Sequence, residues 1–364
     1  MNILIQLSHP AHFHLYKFVA HNLMSDGHKV FILIKTKDIL EDLLKESQLP
    51  YWNILPQAHR NSKLGILWDM VVRDWRILCF VKKHKIDLLT GSTPEVAHVG
   101  WLTRKYRINT GEDDMDIVPL FRKVAGPFIE TLLSPDVCNN FNLENKSIKY
   151  ASYHELAYLH PNHFSPDINV VKQYFSTDTP YFILRFAKLK AHHDEGINGI
   201  NTRIAQKLID ILKTYGRVYI SSERPLEPQF ESFRIHIRTI DMHHVMAFAD
   251  LYIGDSQTMA AEAAVLGIPF IRFNDFVGRI GTFRDFEDKY KLGYGIKTDQ
   301  EDSLYQTIEN LLSTPNRKVI FGERRQKMLS EKIDYAKFLT WFIESYPESF
   351  RIMKEDPDYQ WRFK

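Results

Sequence analysis

The sequence predicts an α/β protein of two doubly wound halves, each a parallel sheet wrapped in helices, facing each other across a cleft. Three observations carry this expectation. Short apolar runs alternate with helical stretches of ten residues or more, the signature of βαβ units. The alternation lapses near 137–178, where Asn139, Asn140, Pro161, Asn162 and Pro166 gather turn-forming chemistry, and then resumes. The length of 364 residues exceeds one ordinary core and suits two domains of about 150–200 residues each.

In the first half, strand 3–7 leads through a turn holding His9, Pro10 and His12 into a helix at 13–25. Asp26-Gly27-His28 ends that helix and strand 29–34 follows. Helix 39–46, strand 51–55, helix 64–84, strand 86–90 and helix 94–105 come next, with short strands at 107–110 and 131–134. The second half reads as strand 181–185, helix 201–215, strands 217–220 and 235–237, helix 242–249 and strand 251–253. A turn at 254–257 feeds helix 258–266, which Gly267 stops before Pro269 opens the apolar pair Phe270-Ile271. Helices at 304–312 and 317–329 follow, then a tail, aromatic on one face at 335–344, expected to pack back on the first domain. The expected domains are 1–165 and 166–334, with a helical tail over 335–364.

Composition narrows the function classes. A net charge of +2 supplies no field to recruit nucleic acid. Cys79 and Cys138 lack any metal or disulfide spacing, which points to the reducing cytoplasm. The N-terminal apolar run is short and without a basic leader, so it does not read as a signal peptide. No run approaches the roughly 18 apolar residues of a membrane span. The most membrane-like stretch, 64–81, holds Trp68, Trp75 and Phe80, but also Asp69, Arg73, Asp74 and Arg76. It reads as an amphipathic helix packed on a sheet; the other reading is a peripheral contact with the inner face of the membrane.

The most informative segment is Leu251-Tyr-Ile-Gly-Asp-Ser-Gln-Thr-Met-Ala-Ala-Glu262. A strand feeding a helix through small residues aims backbone N–H groups, and the helix's partial positive charge, at one spot that suits a phosphate. Gly254, Asp255, Ser256, Gln257 and Thr258 form that turn, and Glu262 lies where it could accept from ribose hydroxyls; the alternative is an ordinary corner with Asp255 as helix cap. His243 caps its helix or lines the same pocket. Asn274, with Arg272, follows the next strand toward the same mouth. His12 offers a base near neutrality, or a helix cap. Asp113 and Asp114, in the acidic run 111–116, could hold acceptor hydroxyls, act as base or bind a cation, or form a solvated loop. His154 and Glu155 could exchange a proton. Arg185 and Lys188 follow the first strand of the second half, where cations would stabilise a departing diphosphate. His192, His193 and Asp194 are neighbours on one loop and do not make a metal site without a distant ligand.

Four runs, His9-Pro-Ala-His12, Tyr153-His-Glu-Leu-Ala-Tyr-Leu-His-Pro161, Leu184-Arg-Phe-Ala-Lys-Leu-Lys-Ala-His-His193 and Ile253-Gly-Asp-Ser-Gln-Thr-Met259, resemble the domain-of-unknown-function 354 family. More broadly, the two halves and the Gly-Asp-Ser…Glu-Ala-Ala-x-Leu-Gly-x-Pro pattern resemble the GT-B superfamily of glycosyltransferases and non-hydrolysing UDP-N-acetylglucosamine 2-epimerases. The resemblance implies a GT-B-like fold of two Rossmann-like domains, with the acceptor on the first and the nucleotide on the second. It also implies no essential cofactor or metal, and a nucleotide-sugar donor, UDP-linked, as substrate. The partner would be a saccharide or lipid-linked acceptor in surface polysaccharide or glycolipid synthesis. The alternatives are an epimerase-like enzyme and a non-catalytic nucleotide-sugar binder. Two departures stand out. Gln257 and Thr258 replace the glycines of the epimerase turn, and Arg185-Phe-Ala-Lys188 replaces the epimerases' Arg-Arg-Glu-Asn run.

Overall fold

In the computed structural model, which describes residues 1–36, 39–55, 63–187 and 199–364, the first strand shows why the sheets are parallel. Ile3, Leu4 and Ile5 of β1 (Asn2–Leu7) expose no surface at all. A strand apolar on both faces needs helices on both sides, and parallel strands joined by helical crossovers supply them.

Two units result, Met1–His163 with Lys332–Lys364, and Phe164–Glu331. The first runs β1, α1 (Pro10–Ser25), β2 (Lys29–Lys35), β3 (Tyr51–Leu55), α2 (Lys63–His84), β4 (Leu88–Gly91), α3 (Pro94–Thr103), β5 (Tyr106–Thr110), β6 (Thr131–Pro135) and β7 (Ser147–Tyr150). Among the described residues its seven strands pair in parallel in the order β3-β2-β1-β4-β5-β6-β7. The chain winds outward to β3, then returns to lay β4 against β1. Leu4, Leu33, Ile77, Leu89 and Val96 form a core between α2, α3 and one face of this sheet. Helix α1 begins before the expected start, because Pro10 fits the first helical turn and His9 caps it, its Nδ1 accepting from Ala11 N at 3.2 Å.

The second unit carries β8 (Tyr181–Phe186), β9 (Arg217–Ser222), α4 (Met242–Ala247), β10 (Leu251–Gly254), α5 (Gln257–Leu266), β11 (Phe270–Phe273) and β12 (Gly293–Ile296). Its sheet has the order β12-β11-β10-β8-β9, again parallel, with the winding reversed between β8 and β10. Phe182, Leu184, Ile204, Leu208, Ile253 and Ile271 fill its core.

Three expectations about strands change. The expected strand at 235–237 is absent; one backbone bond, from Ile235 N to Ile220 O at 2.9 Å, is too little to hold a ladder there. Two edge strands without a hydrophobic signature, β7 and β12, appear instead. In β12, Gly293 is required because a Cβ would meet the Phe270 ring at 2.3 Å, and the same glycine erases the strand signal from the sequence.

Helix α6 (Tyr335–Glu344), which opens the tail, packs back on α1 within the first unit. Its start is fixed by Asp334, which exposes no surface. The Oδ1 of Asp334 accepts from His163 Nε2 at 2.7 Å and Lys337 N at 3.2 Å, and its Oδ2 from Asn162 Nδ2 at 2.9 Å. Burial opposes the charge, but the His163 and Asn162 bonds outweigh it and hold the carboxyl at about 2, below its ordinary 3.8. The contribution of a lowered carboxyl is complete above the unfolded value and lost as pH falls through the folded one. Replacing Asp334 by Ala should therefore cost about 1–3 kcal/mol at neutral pH. The difference in urea midpoint from the wild type should shrink as pH falls from 3.8 toward 2. Equal midpoints at pH 7 would contradict the role.

Candidate functional site

In a doubly wound sheet the loops diverge where the winding reverses, and they do so at the carboxyl ends of the strands. In the second unit those are the ends of β8 and β10. Gly254 closes β10 where a Cβ would lie 2.6 Å from the Tyr252 hydroxyl and 2.8 Å from Arg185 Cβ, so a larger residue does not fit. Asp255 follows, 2% exposed. It is not the helix cap: its carboxylate accepts from Ala187 N at 2.6 Å and Ile200 N at 3.2 Å, tying the loop after β8 to the turn after β10. Burial pushes this carboxyl up to about 6, against those two bonds, which favour the charge. Asn274 braces the turn from β11, donating to Asp255 O at 3.1 Å and accepting from Phe276 N at 3.0 Å.

Ser256 is the N-cap residue of α5, and among the described residues its side chain makes no capping hydrogen bond. Ser256, Gln257 and Thr258 are half-buried, whereas everything from Met259 to Leu266 is buried. Arg272, fully buried, donates to Gln257 Oε1 at 3.0 Å and to Glu287 Oε1 at 2.9 Å, and lies 4.0 Å from the Phe283 ring centre. A guanidinium only donates, so the Gln257 carbonyl must face it and the amide NH2 must point elsewhere. Glu262 is 5% exposed, in a helix otherwise apolar at its inner positions, and pairs with His243 Nε2 of α4 at 3.0 Å. The structure thus brings together two predicted residues from separate helices. Arg185, at the end of β8, turns toward β9: it donates to Ser221 Oγ at 2.6 Å and pairs with Glu223. Lys188, like His192, His193 and Asp194, lies outside the described residues.

The first unit repeats the geometry at β1 and β4. His12 sits in the first turn of α1, 9% exposed, with its Nδ1 3.3 Å from Ser8 N. The acidic run follows β5. Glu112 pairs with His154 Nδ1 at 2.9 Å, in place of the expected partnership of His154 with adjacent Glu155. Partial burial opposes the Glu112 charge, but His154, His12 and His9 outweigh it and hold the carboxyl at about 2. Asp113 goes the other way: partial burial and the charges of Glu112 and Asp114 push it up to about 7. Two neighbouring carboxyls with pKa values driven apart are suited to different roles, one fixed as an anion and one able to exchange a proton near neutrality. Asp114 is buried and accepts from Asn139 N at 2.8 Å, so it shapes the loop. Glu112 lies in the expected acidic run, but its pairing with His154, like that of Glu287 with Arg272, was not legible, since each partner is distant in sequence. Among the described residues no group of three or more His, Cys, Asp or Glu is placed to hold a metal ion.

No protein-family model matches the chain, and no curated protein matches it by sequence. Solved structures do. The S. aureus MnaA–UDP co-structure aligns with a TM-score of 0.69 at 12% identity, over 96% of this chain and 97% of that one. The Methanocaldococcus jannaschii UDP-GlcNAc 2-epimerase in complex with UDP-GlcNAc and UDP gives 0.63 at 18% identity, over 91% and 99%. The spinosyn rhamnosyltransferase SpnG, complexed with spinosyn aglycone, gives 0.60 at 13% identity, over 94% and 100%. The fold is that of the GT-B glycosyltransferases and UDP-N-acetylglucosamine 2-epimerases.

Asp255 carries a test of this local geometry. A carboxyl raised by burial contributes stability in its protonated form, complete below the ordinary 3.8 and lost as pH rises through about 6. The loss should amount to about 2–3 kcal/mol. Urea midpoints measured between pH 4 and 7 should show it in the wild type and not in Asp255→Asn. Parallel pH profiles would place the charge of Asp255 in water instead.

Proposed function

We propose that this chain is a cytoplasmic, nucleotide-sugar-dependent glycosyltransferase with a UDP-linked donor. The acceptor is a saccharide or lipid-linked saccharide of a surface polysaccharide or glycolipid. One observation carries the reading: the start of helix α5, whose N-cap side chain Ser256 makes no capping bond among the described residues, stands where the second sheet reverses its winding, with Gln257 fixed from below by buried Arg272. A helix N-terminus at such a point suits a diphosphate. Two of the solved counterparts are complexes with UDP, and one with an acceptor-like aglycone.

In this reading the amides and hydroxyls of Ser256 and Thr258, with the Gln257 NH2, receive the diphosphate, and Gly254 admits it closely. Glu262 accepts from the ribose hydroxyls, its orientation set by His243. Asp255 and Asn274 hold the turn. Asp113, poised near neutrality, takes the proton from the acceptor hydroxyl, with His12 or Asp114 as the alternative base. The acceptor oxygen forms its bond to the anomeric carbon as the bond from that carbon to the diphosphate oxygen breaks. Arg185 and Lys188 meet the charge that develops on the leaving diphosphate, and no metal ion takes part. The second reading, a 2-epimerase, follows from the fold of the M. jannaschii enzyme and is separated by incubating UDP-GlcNAc alone and looking for an isomeric sugar.

A thermal-shift screen across nucleoside diphosphates and nucleotide sugars should show stabilisation by uridine ligands, since a ligand at 100 times its Kd adds about 2.7 kcal/mol. Glu262→Ala should weaken nucleotide binding by about 1–2 kcal/mol. Arg185→Ala should lower turnover more than ground-state affinity. Unchanged affinity in Glu262→Ala would remove Glu262 from the ribose, and the absence of any stabilising nucleotide would sink the proposal.

A further inference from the structure

Parallel strands give the first unit two unlike edges. His12 and Asp113 stand at the carboxyl edge of the sheet; helices α2 and α3 end at the other. There Val81, Lys82 and Lys85 face Leu102, Thr103 and Lys105 across a groove of about 510 Å³. Leu102 and Lys105 also line a neighbouring groove of about 580 Å³ with Trp101, Arg104 and Tyr106, so the two form one continuous surface. Its apolar groups are large and open to solvent: Trp101 is 52% exposed, Leu102 55% and Tyr106 42%. Trp101 packs its inner edge against Phe128, with ring centres 5.1 Å apart, so the indole is held in place with its outer side bare.

The charge of this face has one sign. Arg107 and Glu130 neutralise each other at 3.5 Å. Among the described residues, no carboxylate lies within ion-pair distance of Lys82, Lys85, Arg104 or Lys105. Lys85 and Arg104 also occupy the left-handed position that ends each helix, at φ of 50° and 53°, where glycine is the unstrained choice. The outward side of α2 extends the surface through Val71, 51% exposed, and Trp75, 65% exposed.

Exposed Trp and Leu set among unpaired Lys and Arg match the interfacial layer of a bilayer, where indoles and aliphatic tips enter the headgroup region and cations meet anionic lipid. Nucleic acid would offer the same cations a partner but would leave Leu102 and Val71 with none. We propose that this face docks on an anionic membrane surface, with Trp101 and Leu102 entering the headgroup layer while Lys82, Lys85, Arg104 and Lys105 contact acidic lipid headgroups. No helix among the described residues is long and apolar enough to cross the bilayer, so the attachment is peripheral. The proposal stands independently of the sugar-transfer reading.

Co-sedimentation of the full chain with phosphatidylcholine vesicles, with and without phosphatidylglycerol, tests it. The chain should pellet with the anionic vesicles only and be released by high salt. The triple variant Lys82→Glu, Lys85→Glu, Lys105→Glu should bind about tenfold more weakly or worse. The double variant Trp101→Ser, Leu102→Ser should also bind more weakly, at a far-UV CD spectrum and melting temperature close to the wild type. No pelleting with anionic vesicles, equal pelleting with both kinds, or binding unchanged in both variants would overturn the proposal. So would charge-dependent retention on heparin without vesicle binding, which would mark a general polyanion surface.

Discussion

Two neighbouring parallel strands cannot be joined by a tight turn, so a connection between strands of one sheet must cross a sheet face and return. Where successive crossovers change side, the loops leaving adjacent strands part and open a crevice at the carboxyl edge. That constraint fixes where chemistry can sit: between β1 and β4 in one unit and between β8 and β10 in the other. The first receives His12 and, one strand further on, the carboxyls of Glu112 and Asp113. The second receives Asp255 and the start of α5. Nothing in the local sequence of either turn has to be unusual for this to happen; the order of the strands does it.

The second crevice is distinguished by what is buried beneath it. Arg272 exposes no surface, Asp255 2% and Glu262 5%. Taking such groups out of water is costly unless each finds hydrogen-bonding partners. Each does: Arg272 in Glu287 and Gln257, Asp255 in two backbone amides, Glu262 in His243. An apolar replacement would pack more cheaply, and helix α5 from Met259 onward otherwise consists of such residues. The cost is localised at one turn, where its effect is to fix the orientation of polar groups before any ligand arrives, the condition under which fixed dipoles act most strongly on developing charge.

How much of this was legible in the sequence follows from the range of each signal. The turn 254–257 and Glu262 could be read because strand, turn and helix are contiguous and the chemistry of a helix start is local. The central strands could be read because burial on both faces leaves continuous apolar runs. Of the four edge strands, β3 and β9 could be read but β7 and β12 could not: β7 has only Ile148 and Tyr150 as apolar residues, and β12 is half glycine. Ion pairs with distant partners were equally silent. His154 was read beside Glu155, its neighbour, whereas the fold gives it Glu112, because β5 and the short helix at His154–Ala157 converge only once the sheet is complete. The opposed shifts of Glu112 and Asp113 depend on that convergence, so no spacing rule would have revealed them.

The polarity of the first unit has a general cause and a particular remainder. Helices that cover a parallel sheet all end at its amino edge, so their negative ends gather there and favour cations such as Lys82 and Lys83 in the last turn of α2. That attraction contributes about 0.3–1 kcal/mol per cation. Holding a residue other than glycine in the left-handed conformation costs about 1–3 kcal/mol. That strain falls on any residue other than glycine, as at Gln48 and Asn316, so it does not select cations at Lys85 and Arg104. Nor does any dipole account for Trp101 and Leu102, which gain nothing from a negative helix end and would be better covered. The same architecture that places titratable groups at one edge leaves, at the other, an apolar and cationic surface, the composition that the proposed docking on an anionic bilayer requires.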